Sequence, residues 1–200
     1  MSEKKITIVA GTQNPHKIEE ILAYLKIENI VVKTLNDYDN VPEVEESGET
    51  FEKNALLKAS VYRELTRLPV FADDSGLTVD ALNGMPGVYS ARYAGEEVSY
   101  FDNNKKLLNE MRDIPDGKRT AAFVSVICYL DKDGPRYFKG VTKGVITREF
   151  MGDKGFGYDP VFYIPELGKT YAQLSMEEKN RISHRGKALA AFKDFLEKLI

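Results

Sequence analysis

The apolar run Leu68-Pro69-Val70-Phe71-Ala72 ends directly in Asp73-Asp74-Ser75-Gly76, and this junction constrains the chain more than any other stretch. The run reads as a buried strand. Two carboxylates immediately after it are costly to place unless something compensates their charge. The pattern predicts a turn over Asp73 to Gly76 at the C-terminal end of the strand. A divalent cation would compensate the pair. Mg2+ takes one or two protein carboxylates, while waters and phosphate oxygens complete its octahedron. In that setting Asp74 holds the metal, takes a proton from an attacking water, or does both. Ser75 can donate to a phosphate, and Gly76 permits close backbone approach. An Asp helix cap beside a solvated Asp would produce the same four letters, so the junction by itself leaves both readings open.

The rest of the chain supplies a frame. Ile6 to Ala10 reads as a strand, broken at Gly11-Thr12-Gln13-Asn14. Asn14 reads as an N-cap with Pro15 at the first helical position, followed by Ile18, Ile21, Leu22 and Leu25 at helical spacing. Ile30 to Leu35 is a second strand. A helix from Ser47 or Thr50 to about Leu65 buries Phe51, Ala55, Ala59 and Tyr62, and another spans Ser99 to Met111. Arg119 to Leu130 and Arg136 to Glu149 form a hairpin across Asp131-Lys132-Asp133-Gly134. Ser175-Met176-Glu177-Glu178 is a capping box that opens a helix, and the helix through Ile182, Leu189, Phe192, Leu196 and Leu199 closes the chain. Alternating strands and helices around a hairpin predict an α/β fold with a mixed sheet. No linker divides the chain, so residues 1–200 are expected to form one domain with two lobes.

Three further constellations could carry chemistry. Thr12-Gln13-Asn14-Pro15-His16-Lys17 places a polar loop at a helix N-terminus, where N–H groups, the helix dipole and Lys17 suit an anion. It is neither a Walker loop nor a dinucleotide fingerprint, and a capped surface helix has the same spacing. Gly155-Phe156-Gly157-Tyr158-Asp159-Pro160 offers aromatic faces for a nucleobase and a carboxylate for ring N–H groups, or else a tight turn with its aromatics in the core. Lys179, Arg181, His184, Arg185 and Lys187 make a basic stretch, and Ser183 can cap a new helix there. Within the acidic run Glu43, Glu45, Glu46 and Glu49, Glu43 is the best single candidate for a second metal carboxylate. The remainder reads as a solvated face.

Net charge of −3 gives no global field toward nucleic acid or an anionic membrane. No apolar run approaches the ~20 residues of a membrane span. Met1-Ser2-Glu3-Lys4-Lys5 has no signal-peptide pattern. The lone Cys128 permits no internal disulfide and lies in an apolar run, as a buried inert thiol in a reducing cytoplasm would.

Taken in order, these motifs resemble the inosine/xanthosine triphosphate diphosphatases, the ITPase-like pyrophosphatases of non-canonical purine nucleotides. The resemblance rests on Thr12 to Lys17, on Phe51-Glu52-Lys53-Asn54-Ala55 with Lys58-Ala59, and on Ala72-Asp73-Asp74-Ser75-Gly76-Leu77. It continues through Gly84-Met85-Pro86-Gly87, Ser90-Ala91-Arg92-Tyr93, the block Gly155 to Pro160, and Ser183-His184-Arg185. It implies an elongated, twisted mixed sheet flanked by helices, with two lobes around a central substrate cleft, built as a homodimer. It further implies Mg2+-dependent hydrolysis of ITP, dITP and XTP to monophosphate and diphosphate. Asp74 takes the place of proton acceptor and metal ligand, with Asp73 beside it, and Glu43 that of an acidic metal position. Thr12, Gln13, Asn14, Pro15, His16, Lys17 and Ser75 match substrate contacts along the phosphates. Phe156, Gly157, Tyr158 and Asp159 match a base pocket, and Lys179, His184 and Arg185 the remaining substrate contacts. The usual Thr-Gly-Asn carries Gln13 in place of glycine, which raises the question of positive φ at that position.

A donor such as Arg185 aimed at the purine 6-keto oxygen would favour hypoxanthine over adenine. Two rivals share most of these features. One is a pyrophosphatase for modified pyrimidine triphosphates, and the other a nucleotide sensor without catalysis. The paired carboxylates argue against the sensor, since a mere binder gains little from negative charge near phosphates.

Overall fold

A computed structural model describes residues 5–200; the first four residues of the N-terminal stretch considered above lie outside the described residues. Seven strands, β1 (Ile6–Ala10), β2 (Ile30–Thr34), β3 (Val70–Val79), β4 (Thr120–Asp131), β5 (Gly134–Ile146), β6 (Phe162–Ile164) and β7 (Lys169–Thr170), pair in the order β2-β1-β3-β4-β5-β6-β7. β1 runs parallel to β2 and β3, whereas β5, β6 and β7 pair antiparallel, so the sheet is mixed as expected. The helices are α1 (Pro15–Tyr24), α2 (Phe51–Thr66), α3 (Tyr100–Glu110), α4 (Met176–Ile182) and α5 (His184–Glu197).

Local chemistry explains the helix ends. Asn14 caps α1 by accepting from the backbone N–H groups of His16 and Lys17, with Pro15 at the first position. Thr50 caps α2, which stops at Arg67 in the left-handed conformation (φ 57°). Ser99 with Asp102, and Ser175 with Glu178, form reciprocal capping boxes on α3 and α4.

One expectation is corrected. Asp73 to Gly76 is not a turn, because β3 runs through it from Val70 to Val79. The burial cost that suggested a turn is met instead by cations on neighbouring helices, described below. The new helix that Ser183 was expected to cap is present: the Ser183 backbone is extended (ψ 155°), and α5 starts at His184. β6 and β7 are only three and two residues long, too short to show periodicity.

The chain divides into two compact units. The first comprises residues up to Asp74, Ser125–Gly140 and Arg185–Ile200. Its central strands β1, β3 and β4 are buried on both faces, and successive side chains take opposite sides. Ile8, Ala10, Phe71, Ile127 and Tyr129 pack with α1 and α5 through Ile21, Leu25, Leu189 and Phe192. Val9, Val70, Ala72 and Cys128 face the other way, onto Ala55, Ala59 and Tyr62 of α2. The second unit, Ser75–Val124 with Val141–His184, centres on Leu77, Leu107, Met111, Phe123, Phe162 and Tyr171. No helix among the described residues is long and apolar enough to cross a membrane.

Cys128 is fully buried, and burial pushes its thiol up to about 12. We expect an aromatic disulfide reagent to leave it unmodified in the folded protein and to titrate one thiol after denaturation. Rapid labelling of the native chain would contradict this packing.

Candidate active site

The alternation along β3 determines how the two adjacent aspartates are served. Asp73 shares the parity of Phe71 and so points toward α1 and α5. Asp74 shares that of Val70 and Ala72 and points toward α2. Both are 5% exposed, yet each meets a different set of partners.

On the first face, Lys17 of α1 places Nζ 3.0 Å from Asp73 Oδ2, and Arg185 of α5 places Nε 3.5 Å from the same oxygen. Arg185 also donates through Nη1 to Glu20, a buried residue one turn beyond Lys17 on α1. Burial alone would raise the Asp73 pKa. Lys17, Arg185 and Lys58 outweigh it and hold the carboxyl well below its ordinary value. Lys17 is itself lowered, by burial first, with repulsion from Lys58 and Arg185 adding to that effect.

On the second face, Asp74 Oδ2 accepts from Asn54 Nδ2 at 3.1 Å, and Lys58 Nζ lies 3.3 Å from Asp74 Oδ1. The same ammonium bonds Glu46 at 2.5 Å, so it bridges two carboxylates. Asn54 Oδ1 accepts from the N–H of Gly48 at 2.7 Å, which ties the acidic loop to the site. A Cβ on Gly48 would lie 2.5 Å from that oxygen, hence the glycine. Burial raises the Asp74 pKa and Glu46 adds to the effect, although Lys58 opposes it. The Lys58 pKa is raised overall, because Asp74, Glu46 and Asp73 together outweigh its burial. The two adjacent carboxylates are thus shifted in opposite directions, Asp73 below and Asp74 above the ordinary value.

The predicted residues fall around this cluster as follows. Thr12 Oγ1 accepts from the Asn14 N–H at 3.2 Å, while Gln13, Pro15 and His16 are exposed. The Asn14 cap takes the N–H groups of His16 and Lys17 that a phosphate site would use, so the Lys17 ammonium is what this segment brings to Asp73. Gln13 is absent from the residues with positive φ, so a glycine is not required there and the departure from Thr-Gly-Asn is accommodated without strain. Glu43 is exposed, and the contact to Lys58 is made by Glu46.

The second unit holds the remaining candidates. Ser75 is half-buried in β3. Lys179 of α4 bonds Asp159 Oδ2 at 2.7 Å, and that oxygen also accepts from the Phe156 N–H at 2.9 Å. The Lys179 ammonium sits 4.6 Å from the centre of the half-buried Phe156 ring, within cation–π range. Gly155 has φ 76°, and a Cβ there would strike Asp159. The carbonyl of Gly157 accepts from Asn104 Nδ2 at 2.7 Å. Tyr158 is turned into the core, where its hydroxyl donates to the Ser90 carbonyl. His184 lies flat on Phe123 at 4.6 Å between ring centres.

Sequence did not single out Glu20, Glu46, Asn54 or Lys58 as site residues. Asn54 and Lys58 lie in a shared motif, four apart on one face of α2, which was the available signal. Glu20 had none, since a glutamate in a surface helix ordinarily reads as solvated.

The sequence profile of the Ham1 family matches residues 8–195. A dITP/XTP pyrophosphatase of Geobacter sulfurreducens is 52% identical over 190 residues, covering 94% of this chain and 96% of the relative. The structure of a HAM1 protein from Coxiella burnetii superposes with a TM-score of 0.91 at 40% identity, covering 96% of this chain and 99% of that one. The Staphylococcus aureus Ham1 protein gives a TM-score of 0.89 at 43% identity, with 97% and 100% covered.

Proposed function

This chain belongs to the Ham1 family, and we propose that it hydrolyses dITP, XTP and ITP to the monophosphate and diphosphate with Mg2+, clearing non-canonical purines from the nucleotide pool. The observation that carries the proposal is the charge arrangement around Asp73 and Asp74. Four carboxylates (Glu20, Glu46, Asp73 and Asp74) face three cations (Lys17, Lys58 and Arg185). With all seven groups charged, that cluster carries one negative charge in excess before a polyphosphate arrives, so a divalent cation would favour substrate binding.

The residues fit such an ion. Lys58 already places a positive charge between Glu46 and Asp74, marking a position where two carboxylates share a cation. Among the described residues no set of three or more His, Cys, Asp or Glu side chains forms a cage. This suits Mg2+, which binds through one or two carboxylates plus waters and phosphate oxygens. Asp74 and Glu46 would hold it, Glu46 being favoured over Glu43 by its contact with Lys58. Bound there, it would supply Lewis-acid charge at the phosphate oxygens.

The chain's own residues divide the remaining work. Asp74, with its raised proton affinity, is suited to take the proton of the attacking water. Asp73, held as an anion by Lys17 and Arg185, anchors those two cations. Lys17 and Lys58 neutralise phosphate charge, and catalysis is positioning plus electrostatics. Phe156 stacks on the purine, with Lys179 and Asp159 fixing the loop that carries it. The working form is taken to be a cytoplasmic homodimer without nucleic acid or membrane partners, in one two-lobed domain.

The test is a steady-state panel of ITP, dITP, XTP, ATP, GTP and modified pyrimidine triphosphates, with and without Mg2+ and with and without a coupling inorganic pyrophosphatase. Phosphate should appear only with the coupling enzyme and the metal. The kcat/KM for 6-keto non-canonical purines should exceed that for ATP by about two orders of magnitude or more. Direct phosphate release, or equal rates on pyrimidines, would reject the assignment.

A further inference from the structure

Lys105, Leu108, Asn109, Arg112, Arg119 and Arg148 line a cavity of about 350 Å3 in the second unit. Four of these six side chains are cationic in a chain of net charge −3, so the grouping runs against the overall charge. None of them takes part in the hydrolysis proposed above.

Arg119 is the fixed component. It is 3% exposed. Its Nε donates to the Ile146 carbonyl, Nη1 to those of Met111 and Ile114, and Nη2 to that of Thr147. These bonds use four of its five N–H groups and lock the plane of the guanidinium, leaving one Nη2 hydrogen for a further acceptor. All four acceptors are carbonyls, so among the described residues no carboxylate pairs with Arg119 at contact distance. A buried cation neutralised only by dipoles is costly. Burial accordingly lowers its pKa, and Arg148 adds repulsion that Asp116 opposes.

The other three cations are exposed and adaptable. Arg148 bonds the exposed carboxylate of Asp116 at 2.8 Å and reaches the carbonyls of Arg112 and Ile114 at 3.4 Å. Arg112 donates to Asn109 Oδ1. Lys105 stands on the same face of α3 as Leu108 and Asn109. A rigid buried guanidinium with a spare donor, joined by two further guanidinium groups and an ammonium, matches a multiply charged oxyanion. The space exceeds what a single phosphate fills, and Leu108 with the arginine stems offers apolar wall for a small organic body.

We propose that this cavity is a second anion site that takes a phosphate-bearing ligand, either a free diphosphate or the phosphate end of a nucleotide. It stands independently of the hydrolytic reading, because it shares no residue with the cluster at Asp74.

The experiment is isothermal titration of the full-length protein in chelator with three probes: inorganic phosphate, inorganic diphosphate and inosine monophosphate. Wild type is compared with Arg112→Gln and with Arg112→Gln/Arg148→Gln. The double variant should bind at least one probe tenfold or more weakly, and Arg112→Gln alone severalfold, while kcat on dITP stays within twofold of wild type. Arg112 is exposed and its guanidinium bonds the exposed Asn109, so the single variant keeps the test valid if the double one fails to fold. Preference for diphosphate over the monophosphate identifies a free anion as the ligand, and the reverse identifies a nucleotide. Unchanged affinity for all three probes in the folded variants would overturn the proposal.

Discussion

Asp74→Asn should lower kcat on dITP by about a thousandfold or more, with KM changed only a few-fold and the melting temperature unchanged or raised. The kinetic part follows from the role assigned to the carboxylate. A positioned general base is worth about 10²–10⁴ in rate, and the same oxygens would hold the metal. Asparagine keeps the size and can still meet Asn54, yet it accepts no proton and binds a hard cation poorly. An interaction used mainly in the transition state depresses kcat and kcat/KM together. The stability part follows from the sign of the pKa shift. The Asp74 pKa is raised in the folded chain, mostly by burial. A group raised in this way contributes stability when protonated, below its unfolded pKa, and that contribution is lost as pH rises through the folded value. At neutral pH its charge is therefore a cost to the fold, which the neutral amide removes. Activity bought with local instability is a common pattern at functional sites. Steady-state kinetics and thermal melts of the same preparation check both halves. Near wild-type turnover would end the assignment of Asp74, and a large drop in melting temperature would show that the carboxylate is structural.

The same residue shows how far the sequence could be read. Its order of motifs placed Lys17 on its helix and Phe156 and Asp159 in a glycine-rich loop, because caps, glycines and apolar periodicity are local signals. Asn14, Thr50, Ser99 and Ser175 cap the helices at the expected ends. The continuation of β3 through Asp73 to Gly76 was not legible. Charge in a buried strand looks forbidden until its partners are known, and those partners come from α1, α2 and α5, between 16 and 112 residues away for Lys58 and Arg185. With the strand in place, parity alone separates an aspartate on the α1 and α5 face from one on the α2 face. Within the acidic run the sequence favoured Glu43 over Glu46. Only the fold of the acidic loop, tied by Gly48 to Asn54, decides which of them meets Lys58.

Arg185→Ala should destabilise the protein by about 3–5 kcal/mol, the usual cost of removing one partner from a buried ion pair. Sequence suggested that this guanidinium reads the purine oxygen. The structure gives it a prior engagement: Nη1 on Glu20 and Nε near Asp73, with the arginine only 4% exposed. Its removal leaves two buried carboxylates that had shared it. Asp73 keeps Lys17, whereas Glu20 loses its ion pair with Arg185. Glu20→Ala should cost less, because Arg185 retains Asp73. The double variant Glu20→Ala/Arg185→Ala should then be more stable than Arg185→Ala alone, since the buried carboxylate that Arg185 pairs with is removed together with it. Chemical denaturation of the four chains closes a double-mutant cycle. A loss below about 1 kcal/mol for Arg185→Ala, or strictly additive effects, would mean that the pair does not act as a unit in solution. Its guanidinium would then be available for the base after all, and the ITP-to-ATP preference of Arg185→Ala would become the decisive measurement.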